Sequence, residues 1–84
     1  GKTVEEQSEQ VMRNMGAILE SAGIGFDQVV KTTCFLDDMD DFAAFNNVYA
    51  HSFGDHLPAR SAVAVERLPK GALVEVEFIV KVGE

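Results

Sequence analysis

The stretch Pro58-Ala59-Arg60-Ser61 opens a run of small and β-branched residues, Ala62, Val63, Ala64 and Val65, that reads as a buried strand. A guanidinium at the head of such a strand needs a partner. Either a carboxylate of the same chain neutralises Arg60, or the fold keeps it for an anion arriving from outside, and its planar fork of donors suits a carboxylate. Other residue types that could do chemistry lack the company they would need. Gly23-Ile24-Gly25 follows a helical pattern and has no third glycine, so it is no dinucleotide loop. Asp37, Asp38, Asp40 and Asp41 lack the glycine and terminal glutamate of a calcium loop and suit the positive end of a helix instead. His51 and His56 have no serine or cysteine at a recognisable nucleophile turn and read as solvent-facing. Cys34, inside an apolar run, reads as a small strand hydrophobe. No group of His and Cys has the spacing of a zinc site.

The elements that position Arg60 must come from a short chain. Its 84 residues, 46% hydrophobic and 25% charged, make one small globular domain spanning 1–84. Such a chain buries only about 60% of its unfolded surface, so its own core is thin. The single cysteine excludes an internal disulfide, which leaves self-association as the source of further burial. A lone thiol, no apolar run long enough to span a bilayer and no signal peptide at the start together read as a cytoplasmic protein with no membrane partner. The formal net charge of −7 and the lack of a Lys/Arg cluster argue against a nucleic-acid partner, because phosphate contacts are made by basic side chains.

Thr3-Val4-Glu5-Glu6 is a capping-box pattern, and Val4, Ser8, Val11, Met12, Met15, Ile18, Leu19 and Ala22 keep helical spacing until Gly23 and Gly25 stop them. Residues 29–36, VVKTTCFL, are β-branched and aromatic and predict a strand. A second helix follows, with Phe42, Phe45, Tyr49 and Phe53 as its core stripe. Two further strands, about 60–67 and 72–82, flank Leu68-Pro69-Lys70-Gly71, a tight connection that predicts a hairpin. The order is α-β-α-β-β, an α+β sheet with helices on one face. Alternation puts Val74, Val76, Phe78, Val80 and Val82 on the helix-facing side of the last strand. Val63 and Val65 are expected to join that side, so Arg60, Ala62, Ala64 and Glu66 share the opposite side with Glu75 and Glu77. In a hairpin, Glu75 would then stand opposite about Ala64, roughly 13 Å from Arg60. The alanines between them leave a shallow surface that another subunit could close into a cleft.

Pro58-Ala59-Arg60-Ser61, the small residues after it, Leu68-Pro69-Lys70 and Glu75-Val76-Glu77 together resemble the C-terminal signature of the Rid family of reactive intermediate deaminases, also called YjgF. Val30-Lys31-Thr32-Thr33, Asp41-Phe42, and Asn46 with Tyr49 extend the resemblance over nearly the whole chain. It implies a chorismate-mutase-like mixed sheet with two helices packed on one face, assembled as a homotrimer with substrate clefts between subunits. It also implies hydrolysis of 2-enamine and 2-imine acids of the 2-aminoacrylate type to 2-keto acids and ammonia, without a metal or organic cofactor. Under it, Arg60 anchors the substrate carboxylate, Glu75 holds or activates the attacking water, and Asn46 helps to shape the site. By residue type alone, Asn46 reads as a helix-surface amide or a cap, and Arg60 is equally a strand-edge arginine beside a surface carboxylate. Ala62 stands where many active relatives of the family carry a cysteine, which bears on pocket shape and substrate range. The family also opens with strands that give the substrate an aromatic and a backbone or hydroxyl contact. The chain begins directly before the first long helix, so the domain is expected to lack these strands, which would leave a sheet edge bare; either it is a fragment of a longer chain or the short form assembles differently.

Two functions of different class follow. One is the deaminase, a 2-iminobutanoate/2-iminopropanoate hydrolase by resemblance. The other is a non-catalytic trimeric protein that binds small carboxylates or regulates through them. A third reading attached to the family, ribonuclease or translation inhibitor, conflicts with the acidic balance.

Overall fold

The computed structural model describes residues 3–56 and 58–81. Helix α1 spans Val4–Ser21, and its start is the predicted capping box. The Thr3 hydroxyl accepts from the Glu6 N–H at 3.1 Å, while the Glu6 carboxylate accepts from the Thr3 N–H at 3.0 Å, so the cap and the first turn satisfy each other. The chain leaves α1 through Gly23, whose φ of 77° lies in the left-handed region that glycine occupies without strain.

Strand β1 (Val29–Leu36) falls where its β-branched run predicts and is central. Strand β2 (Ala59–Ala64) pairs with it in parallel, and strand β3 (Val74–Val80) pairs antiparallel on its other side. Helix α2 (Phe42–Phe53) carries the crossover between the parallel strands, a connection that no tight turn can make. The predicted hairpin between the last two strands is therefore wrong. They are separated by β1, and residues 65–73 wrap its end instead: the Val65 N–H bonds the Leu36 carbonyl at 2.9 Å, and the Asp37 N–H bonds the Leu73 carbonyl at 3.0 Å. Leu68 tucks from this connection into the core, 5% exposed. Pro and Gly mark a change of direction, but they do not say which strand lies beyond it. Both strands are also shorter than predicted, and Val82 lies outside the described residues.

One irregularity decides which side chains meet the helices. Between the pairs Val29/Val80 and Lys31/Ile79 the register slips, leaving Val30 as the extra residue of a β-bulge. Val29 and Thr32, three positions apart, are thereby both buried, followed by Cys34 and Leu36. Val74, Val76 and Phe78 stand beside Leu36, Cys34 and Thr32, so the alternation reading of the last strand holds. On β2 it is reversed. Arg60, Ala62 and Ala64 stand beside Thr32, Cys34 and Leu36, which places them on the helix side, while Ser61 and Val63 fall on the open side. A strand of alanines beside one arginine has too little polarity contrast to set its own face.

The core lies between the sheet and the helices. Met12, Met15 and Leu19 of α1 and Phe45, Tyr49 and Phe53 of α2 pack with Val29, Cys34, Leu36 and Val74. Phe26, after α1, meets Phe53 edge-on with centroids 5.0 Å apart.

Candidate active site

Helix α2 presents Phe42, Asn46 and Tyr49 four and three positions apart, hence on one face. Arg60 lies across that face. Its Cζ is 5.2 Å from the centroid of the Phe42 ring and 4.8 Å from that of Tyr49, and its Nη1 donates a hydrogen bond to Asn46 Oδ1. Among the described residues no carboxylate pairs with it; Asn46 is its polar partner. A guanidinium covered on its face by rings keeps its in-plane N–H edge for a planar anion.

A cavity of about 360 Å³ opens beside this arginine, lined by Asn46, Tyr49, Ala50, Phe53, Pro58 and Arg60. That volume and the mixture of apolar wall with one cation suit a small organic acid. A larger groove, about 640 Å³, lies between the two helices against Met12, Phe26 and His51, away from Arg60.

Beneath the arginine the floor is neutral. The Tyr49 hydroxyl and Thr32 Oγ1 are 2.7 Å apart, and both residues are buried. Burial pushes the Tyr49 phenol up from its ordinary value, outweighing the lowering by the Thr32 hydrogen bond and the Arg60 charge. Burial likewise raises the Cys34 thiol, against smaller lowering contributions from Thr32 and Arg60. Cys34 is thus a protonated, fully buried thiol at neutral pH, in keeping with its reading as a strand hydrophobe.

The fold brings Arg60 and Asn46 together and puts Ala62 one step further along the same side of β2, opposite Cys34. It does not bring Glu75 to them. Glu75 stands opposite Phe35 on the open side of the sheet, exposed, so the single face that alternation assigned to Arg60 and Glu75 is a misplacement. The reading of His56 also changes: it is half-buried, with Nε2 2.7 Å from the Val29 carbonyl oxygen, whereas His51 is exposed as expected. Two site residues escaped the sequence reading. The helical stripe reads Phe42 and Tyr49 as core, although their spacing around Asn46 is the signal that the stripe has a second use.

Residues 1–82 match the family described as Endoribonuclease L-PSP. The chain belongs to that family. Members with the name Rid are close to it in structure: YyfA of Yersinia pestis, titled a protein of unknown function of the conserved Rid family, superposes with a TM-score of 0.94 at 43% identity, over 98% of this chain and 66% of that one. Escherichia coli TdcF, solved with bound serine, gives a TM-score of 0.88 at 36% identity, over 98% of this chain and 68% of that one. Among curated relatives, the 2-iminobutanoate/2-iminopropanoate deaminase of Mus musculus is 46% identical over 80 residues, 95% of this chain and 59% of the relative. This Rid family chain spans less than two thirds of the length of the curated relatives that it matches. No described helix is long and apolar enough to cross a membrane.

Proposed function

We propose that this Rid family domain belongs to a hydrolytic deaminase of reactive 2-imino acids, the tautomers of 2-enamine acids such as 2-aminoacrylate. Water adds to the C=N carbon, the C–N bond of the resulting carbinolamine breaks, and the products are a 2-keto acid and ammonia. The observation that carries this reading is Arg60, seated on two rings and held by Asn46 yet free of any carboxylate among the described residues, at the wall of a cavity sized for a small acid. A carboxylate taken into its fork would hold the imine carbon at a fixed place. Glu75 is the proposed water-positioning residue, and Ala62, one step along the same side of β2 from Arg60, is the proposed determinant of substrate range. The same reading puts the protein in the cytoplasm, in keeping with its one unpaired thiol.

Arg60 and Glu75 occupy opposite sides of one sheet, so a site that uses both is completed by a second copy of the chain. We propose a homotrimer in which the open side of the sheet is covered. That side carries Val63, 41% exposed, and Ile79, 59% exposed, beside Glu75 and Glu77. Sedimentation equilibrium is expected to give three chains per particle, tightening with added salt because each chain carries a formal −7. A stable monomer at micromolar concentration would sink this assembly.

One observation favours the non-catalytic carboxylate binder as the second reading: Arg60 and Asn46 form their seat within a single chain, and Glu75 does not join it. The ribonuclease reading has no comparable support, since RNA binding would work against the net charge. Ammonia release from freshly generated 2-aminoacrylate decides between the first two. Acceleration by the protein above the spontaneous rate supports the deaminase; keto-acid binding with no acceleration leaves the binder.

A further inference from the structure

The groups under Arg60 form a closed circuit that joins two of the three strands, β1 and β2, to helix α2. Thr32 on β1 is the register partner of Arg60 on β2. Its hydroxyl is hydrogen-bonded to that of Tyr49 on α2, and the Tyr49 ring in turn lies 4.8 Å from the Arg60 Cζ. Thr32 is 0% exposed and Tyr49 5%, so neither can turn away to water without breaking the core. Arg60 itself is exposed, at the edge of the sheet. A long side chain at an exposed edge explores many rotamers unless something selects one.

We infer that Tyr49 is a positioning residue for the carboxylate anchor, fixed in turn by Thr32: the ring sets the plane of the Arg60 guanidinium and Asn46 sets its rotation within that plane. This deepens the proposed function and rests on it for the ligand, but the seat itself exists without one. Covering the face of the guanidinium and occupying an Nη1 N–H restricts the donors left for an acid in the cavity that Arg60 lines, which makes binding of a planar acid directional. Two-point recognition loses much of its strength when the fork tilts, because both hydrogen bonds lengthen together.

The test uses the whole chain and two readouts. In the free protein, the ¹H–¹⁵N signal of the Arg60 side chain is expected to be shifted by the ring currents and distinct from the averaged arginine signal; Tyr49→Leu is expected to return it to that average. With pyruvate as the probe, Tyr49→Leu should raise Kd about tenfold, Tyr49→Phe and Thr32→Val only about two- to threefold, because the ring remains. In an Arg60→Ala background, Tyr49→Leu should change Kd no further, which a merely structural tyrosine would not ensure. If Tyr49→Leu does not fold, the same signal and Kd measured in Tyr49→Phe and Thr32→Val decide, and equality with wild type in both overturns the inference. A wild-type Arg60 signal already averaged like that of a free arginine overturns it as well. An ordered signal that collapses in Tyr49→Leu, in a protein that binds no keto acid, supports the positioning and refutes the proposed ligand, so the two failures are separable.

Discussion

Arg60→Ala will weaken pyruvate or 2-oxobutanoate binding by about a hundredfold, because it removes two charge-assisted hydrogen bonds, together worth about 3 kcal/mol. Turnover at low substrate falls by a similar factor, since the carboxylate is held in both the ground and the transition state. Arg60→Lys recovers only part of the loss. An ammonium is a point charge with no planar fork, and it stacks less well over the Phe42 and Tyr49 rings that now seat the guanidinium. Isothermal titration of the three proteins with one keto acid checks this, and equal affinity of the lysine variant would remove the bidentate anchor from the proposal. Because the arginine is exposed and at a sheet edge, its loss should cost the fold little, and circular dichroism should not change.

Glu75→Gln carries the opposite pattern. It keeps shape and hydrogen-bonding capacity, removes the basic carboxylate, and should lower turnover at saturation by about a hundredfold or more while changing keto-acid affinity little. The placement of the two residues adds a sharper consequence. In one chain they face away from each other, so under the proposed trimer each complete site would draw Arg60 from one copy and Glu75 from its neighbour. Arg60→Ala and Glu75→Gln chains, each inactive alone, should regain activity when unfolded and refolded together. In a three-membered ring containing both kinds, one interface has both intact residues, so the mixed trimer should reach about one third of the wild-type rate. Mixed particles without any activity would mean that both residues serve a site from the same copy, whereas Glu75→Gln chains that keep wild-type turnover on their own would mean that Glu75 has no part in the chemistry.

Much of this fold is legible from local pattern. The capping box at Thr3, the apolar stripe of α1, the β-branched run 29–36 and the aromatic stripe of α2 each state their own conformation, because each depends on neighbours close in sequence. The strand order is not local. A proline, a lysine and a glycine between two strand-like runs have the chemistry of a hairpin turn, whether the chain folds back on itself or passes round the end of a third strand. The false neighbourhood of Arg60 and Glu75 has that ambiguity as one source and the face of β2 as the other, because alanines beside one arginine carry too little contrast to fix which side meets the helices. The signature around Arg60 pointed to a carboxylate site through family resemblance, and Asn46 came with it. The rings of Phe42 and Tyr49 did not, because an aromatic stripe on a helix is fully accounted for by core packing until a cation is seen lying on it.

The central place of β1 also has a consequence for motion. Its backbone is bonded on both sides, while β2 and β3 are each bonded on one. Strands held on one side open at lower free energy, so the amides of β2 exchange with solvent sooner than those of β1. The proposed carboxylate anchor therefore rides on a segment with its own open population, and the apparent affinity for an acid would be lowered by whatever fraction of time that segment is detached. A bound acid would act as a latch, slowing exchange along residues 59–64 while leaving the protection of β1 as it was, and the anchor's occupancy could be followed from the backbone alone.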